Sequence, residues 1–312
     1  MRILVVGAGS IGGYFGARLL AAGRDVTFLV RPGRAAALGK TGLCVLSPAG
    51  DITIAEPKLV SATTITEPFD VVLLSCKAYD LEAAIESLAP AMGPDSVVLP
   101  MLNGMAHMAA LDARFGADHV LGGLCLISTM LDPEGRIRHL APMATLSLGV
   151  RMSGLMRPVG PIAEAFEGAG FDFRLSEDIT QAMWEKWMFI SVAAGLTCLA
   201  RGTIGDLMAA GGAWMAEAMV AECAAILTHH GHPPAEATVA RCRTQFTTPG
   251  SMLTASMFRD LEQGGRIEAE QILGDLLAHG EGVETPVLRT ATTVVRTYEA
   301  RRARELAAHA HP

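Results

Sequence analysis

Gly7-Ala8-Gly9-Ser10-Ile11-Gly12 lies directly behind an apolar run, Arg2–Val6, and opens a segment of helical spacing, Ser10–Ala22. That placement leaves few folds open. Glycine at the first position permits a tight turn out of a strand, at the second it lets a ligand approach the backbone, and at the third it lets the helix lie against the strand. The helix N-terminus adds unsatisfied N–H groups and partial positive charge, so the turn suits the pyrophosphate of a dinucleotide. A second strand, Asp25–Val30, follows and runs into Arg31. An acid there holds the 2′-hydroxyl of an NAD ribose, whereas arginine pairs with a 2′-phosphate. With Arg34 as a second cation nearby, NADP(H) is the expected cofactor.

The alternation continues. Strand-like runs at Gly42–Leu46, Ile52–Ala55, Asp70–Ser75, Ser96–Pro100, Val120–Ile127, Arg136–Leu140 and Thr145–Val150 are interspersed with helical segments at Leu81–Ala89 and Leu155–Ala169. Strands separated by helices imply right-handed crossovers and a doubly wound parallel sheet. The late strands, spaced as a hairpin around Asp132-Pro133-Glu134-Gly135, read as an antiparallel extension of it. After residue 174 the character changes: Ser176 offers an N-cap, and helical patterns follow at Glu177–Leu199, Gly212–His229, Pro234–Phe246, Arg266–Gly280 and Pro286–Glu305. Met215, Met219, Cys223, Ile226 and Leu227 recur at helical spacing and predict a core face. The expected fold class is an α/β doubly wound N-terminal domain over residues 1–174 and an all-α C-terminal domain over 175–312.

Composition narrows the function. Half of the 312 residues are hydrophobic and 18% are charged, which excludes a disordered or fibrous chain. The net charge is −7 and the basic residues are scattered, so no nucleic acid partner is expected. Six cysteines without a CxxC pair suggest a reduced, cytoplasmic compartment. The run Trp187 to Ala200 falls short of the ~20 residues that cross a bilayer, and the N-terminal run is too short for a signal peptide, so no membrane partner is expected. His229-His230-Gly231-His232 lacks a nearby cysteine or acid at ligand spacing, so no metal is expected. His309 and His311 fall in a tail expected to fray.

Two further polar groups stand past the ends of expected strands, Lys77 after Asp70–Ser75 and Asn103 after Ser96–Pro100. Taken singly they are a loop lysine and a turn residue. Ligands of open α/β sheets bind outside the carboxyl ends of the strands, which predicts one crevice for Gly7, Arg31, Lys77 and Asn103. In the second half, Trp184-Glu185-Lys186-Trp187 sets a lysine among aromatic neighbours. Such a lysine either snorkels to the surface or serves as a proton donor.

In order and spacing, GAGSIG, LSCKAYD, MLNGM, PEGRIRH, WEKW, SMFRDL, GRIEAEQILG and VETPVLRTA resemble the ketopantoate reductase family across nearly the whole chain. The resemblance implies a Rossmann-type first domain that binds NADPH through Gly7, Ala8, Gly9, Ser10, Ile11, Gly12 and Arg31. It also implies a helical second domain that takes a small 2-oxo acid. By position it makes Lys186 the proton donor to the ketone, places Lys77 and Asn103 at the cofactor, with Asn103 also near substrate, and gives Ser256 the substrate carboxylate. Asp260 falls beside Ser256, and Glu268 contacts the reacting centre and the cofactor. Where the family carries substrate-binding asparagines, this chain has Ile190 and Ala194, four and eight residues after Lys186, and Ile204 further on. Three readings stay open: a reductase of ketopantoate, a reductase or dehydrogenase of a less polar 2-oxo or 2-hydroxy acid, and a non-catalytic NADP(H)-binding sensor. The exposed faces expected of a helical domain are compatible with a homodimer.

Overall fold

The computed structural model describes residues 1–152 and 158–310. By their contacts these form two units, Met1–Leu102 with His107–Thr180, and Asn103–Ala106 with Gln181 onward. In chain order the first unit holds β1 (Arg2–Val6), α1 (Ser10–Ala21), β2 (Asp25–Leu29), α2 (Pro32–Thr41), β3 (Leu43–Leu46), β4 (Ile52–Ile54), β5 (Leu59–Val60), β6 (Val71–Leu74), α3 (Leu81–Leu88), β7 (Val97–Pro100), α4 (Ala106–Phe115), β8 (Gly122–Leu131), β9 (Ile137–Gly149), α5 (Val159–Phe166) and β10 (Asp172–Leu175).

A parallel sheet in the order β5-β2-β1-β6-β7 forms its centre. Strands β1, β6 and β7 are apolar on both faces and almost wholly buried, as parallel strands covered on two sides must be. The chain moves outward from β1 to β2 and β5, then returns to β6 on the other side of β1. The order therefore reverses beside the glycine turn, where α/β sheets receive ligands.

Apart from a single parallel bridge between Val120 and Val98, the late strands do not extend that sheet. Strand β9 is the axis of a second one, pairing with β8, with β10 and, at its start, with β3, which in turn holds β4. Helix α1 packs against strands of both sheets, so residues 12 to 19 are all buried. On the side of the second sheet, Tyr14 lies 4.7 Å from the His139 ring, and buried Arg18 donates to Ser47 Oγ at 2.9 Å and to Gly50 O at 2.9 Å. Two strands expected at Arg136–Leu140 and Thr145–Val150 are one. Pairing jumps from Ile127–Ala144 to Thr129–His139, so residues 140 to 143 bulge out of the ladder. Pro142 sits in that bulge and forfeits no ladder hydrogen bond.

The second unit is helical: α6 (Ile179–Ala200), α7 (Ile204–Ala209), α8 (Ala213–His229), α9 (Glu236–Phe246), α10 (Ser256–Glu262), α11 (Asp275–His279) and α12 (Pro286–Ala310). Helix α6 starts at Ile179, three residues beyond Ser176, whose N–H instead donates to Leu148 O at 2.8 Å beside β10. Met219, Cys223, Ile226 and Leu227 are fully buried, and Met215 packs against them, as the helical spacing requires. All six cysteines are free, and burial pushes the Cys198 thiol up to about 12. His309 lies within α12, while Leu155, expected to open a helix, and His311 lie outside the described residues. Among the described residues, no helix is long and apolar enough to cross a membrane.

One buried charge fixes two helices together. Glu222 of α8, 7% exposed, accepts from Val287 N at 3.0 Å and Leu288 N at 2.8 Å, satisfying N–H groups in the first turn of α12. Glu222→Ala leaves both donors buried and unpaired, and is expected to cost about 3 kcal/mol of stability. Urea unfolding checks this: the midpoint falls with an unchanged slope, and Glu222→Gln, which keeps one acceptor, loses less.

Candidate functional site

At the end of β1 the chain turns through Gly7, whose φ of +92° favours glycine. Gly7 N donates to Leu29 O at 2.9 Å, and Ser75 Oγ donates to Val6 O at 2.9 Å, so neighbouring strands hold the turn from both sides. A side chain at Gly12 would overlap Ser75 Oγ and Gly7 O. Helix α1 has no side-chain cap at Gly9 and no acid in its first turn. Its leading N–H groups and its dipole are thus left to an anion, and the turn fits a pyrophosphate.

Arg31 and Lys77 follow the carboxyl ends of β2 and β6, on either side of the β1 turn. Arg31 is exposed, and its Nη2 lies 3.1 Å from Asp80 Oδ1. Arg34 is committed otherwise. Its Nε donates to Ala8 O at 2.9 Å and its Nη1 to Gly135 O at 3.0 Å, tying the glycine turn to the hairpin, and burial lowers its pKa. Lys77 is half-buried, its carbonyl accepting from Asp80 N at 2.9 Å.

Asn103 belongs by its contacts to the helical unit. Next to it, Gly104 has φ +77°, and a Cβ there would overlap Gln271 O. That close approach sets the Asn103 loop against a π-helical turn, Glu270–Gly274, which runs into α11. The turn replaces the start of a continuous helix expected from Arg266. Two donors from α6 account for it: Trp187 Nε1 and Ser191 Oγ both donate to Ile272 O, at 3.0 and 2.9 Å. Side-chain donors that claim a helix carbonyl open the backbone ladder, and π-turns frequently mark functional sites.

Those donors follow Lys186 on the same helix, and the turn they hold follows Glu268 by two residues. Lys186 Nζ is buried with no hydrogen-bond partner. An ammonium in that state carries an uncompensated desolvation cost, which an anionic oxygen brought to it would offset. Glu268 is 5% exposed. The Ile272 carbonyl thereby joins the helix of Lys186 to the segment of Glu268, with Asn103-Gly104 packed on the same turn.

The remaining expected residues sit differently. Ser256 opens α10 and is exposed, and Asp260 is half-buried one turn on. Between them Arg259 is partly buried, its pKa lowered by desolvation, with Nη1 3.2 Å from Thr254 O. Ala194 and Ile204 belong to the helical core at 1% and 0% exposure, and Ile190 packs against that core. Sequence reasoning missed the hydrogen bond of Trp187, and it missed Ser191 and Asp80. It also missed the stack of Trp184 on His230 and His232, with ring centroids 5.7 and 5.0 Å away, which occupies two residues of the histidine cluster.

Residues 3–151 match the family described as ketopantoate reductase PanE/ApbA, and residues 178–299 match its C-terminal domain. An uncharacterized oxidoreductase of Bacillus subtilis (strain 168), YkpB, is 36% identical over 303 residues, spanning 96% of this chain and 99% of its own. The structure of 2-dehydropantoate 2-reductase from Methylococcus capsulatus is similar with a TM-score of 0.84 at 28% identity, covering 97% of this chain and 98% of that one. D-mandelate dehydrogenase, solved with NADH and anilino(oxo)acetate, shares the fold with a TM-score of 0.86 at 20% identity, over 97% and 100% of the two chains. With both of its units matched, the chain belongs to the ketopantoate reductase family.

Proposed function

We propose that this chain is an NADPH-dependent reductase of a small 2-oxo acid, with residues 1–174 holding the dinucleotide and 175–312 carrying the chemistry. The carrying observation is the buried, unpartnered Lys186 Nζ, a charge that lacks only an oxyanion. When bound, a reduced nicotinamide would supply the hydride that the ketone carbon takes. Gly7–Gly12 receives the pyrophosphate, Arg31 the 2′-phosphate, and Lys77 and Asn103 orient the nicotinamide end. Ser256 donates its hydroxyl hydrogen to the substrate carboxylate, with Asp260 beside it. Lys186 stabilises the developing alkoxide and gives it a proton, while Glu268 orients the lysine or the nascent hydroxyl. The product is the 2-hydroxy acid.

Ile190, partly buried at the edge of the helical core, favours a second reading of the substrate. An apolar wall offers no partner for the hydroxyl of ketopantoate, whereas a wall built for that hydroxyl gains discrimination on the order of 10⁴. The expected result, followed by NADPH absorbance, is that 2-oxo acids with apolar side chains exceed ketopantoate in kcat/KM by about tenfold. Ketopantoate as by far the best substrate would overturn the apolar-wall reading and leave the reductase intact. Tight NADPH binding without turnover on any 2-oxo acid would favour a binding module.

A further inference from the structure

Asp80 closes a 3₁₀ turn, Ala78–Asp80, that runs straight into α3, and its side chain makes no capping bond to that helix. Its Oδ1 lies 3.1 Å from Arg31 Nη2 instead. Arg31 follows β2 and Asp80 follows β6, and β1 runs between these strands. The ion pair therefore joins the two flanks of the strand that leads into the glycine turn. An acid from the β6 side thus faces the cation assigned to the 2′-phosphate.

We infer that Asp80 is a specificity-determining residue that weakens this protein's preference for a 2′-phosphorylated dinucleotide, an inference that rests on the NADP(H) reading above. The guanidinium comes to the nucleotide already paired, so a 2′-phosphate must take donors from Asp80 and sit near its negative charge. A ribose bearing a free 2′-hydroxyl meets no such repulsion, and the carboxylate is an acceptor for it. Arg31 pulls toward NADPH and Asp80 toward NADH. The side chains are 68% and 35% exposed, so solvent and salt temper the effect without changing its sign.

Asp80→Asn keeps the size of the side chain and removes its charge. The expected result is a rise of about fivefold in the ratio of kcat/KM with NADPH to that with NADH at low salt, shrinking in 0.5 M NaCl, about the reach of an exposed ion pair. Calorimetry is expected to show tighter binding of 2′,5′-ADP, with 5′-AMP unchanged or weaker, a split that a merely structural role for Asp80 would not produce. Arg31→Ala is the reference and lowers the same ratio. A ratio that responds to Arg31→Ala but stays level or falls in Asp80→Asn overturns the role of Asp80 and leaves the cofactor reading standing. A ratio indifferent to Arg31→Ala removes both.

Discussion

Lys186→Ala is expected to lower kcat for 2-oxo acid reduction by about 10² to 10⁴, the range lost with a positioned general acid, while the Kd for NADPH moves less than about twofold. Lys186 Nζ is buried and unpartnered in the protein alone, so its full interaction is kept for charge that develops during the reaction. Alanine removes that charge and its proton together. Lys186→Arg separates them: a guanidinium keeps the charge but is a poor proton donor, so kcat stays low if proton transfer dominates and recovers in part if charge stabilisation does. Equal losses in NADPH affinity and turnover would assign the lysine to the cofactor.

Gly12→Ala carries the second large effect. The added methyl would overlap the Ser75 hydroxyl and the Gly7 carbonyl, and would lie 3.0 Å from Val5 Cγ1. The backbone oxygen cannot rotate away, so either α1 shifts or the turn opens. A strain of about 1 to 3 kcal/mol placed on the binding turn weakens NADPH about tenfold to a hundredfold in a fluorescence titration. Adding Ser75→Ala relieves the side-chain overlap and leaves the backbone one, so the double variant is expected to recover only part of the affinity. Full affinity in Gly12→Ala would contradict the proposed seat of the pyrophosphate.

How far these features can be read from residues alone depends on how local their causes are. The strand, turn and first helix are legible because an apolar run, a glycine triplet and a helical pattern each act within a few residues. Helix α2 is not legible: Pro32, Gly33 and Gly39 read as a loop, although Pro32 occupies the first helical turn, where its missing N–H costs nothing. Strand β9 hides behind Pro142, which only the bulge excuses. The π-turn has its cause some 80 residues away in sequence, in Trp187 and Ser191, and no periodicity around Gln271 reports it. The same holds for Asp80, whose partner is Arg31 beyond a different strand. The family motifs locate Lys186 and Glu268, but the shared carbonyl that ties their segments together emerges only from packing.

On the proposed function, hydride goes to a ketone carbon while Lys186 serves the oxygen. The most direct measurement supplies NADPH deuterated at the transferring position of nicotinamide C4, together with the best 2-oxo acid, and locates the label by mass spectrometry. Deuterium is expected at C2 of a 2-hydroxy acid for the wild-type protein, formed at least about a hundredfold more slowly by Lys186→Ala. Deuterium remaining on a tightly bound nicotinamide with every 2-oxo acid, or equal rates of labelling in the two proteins, would contradict the proposed function.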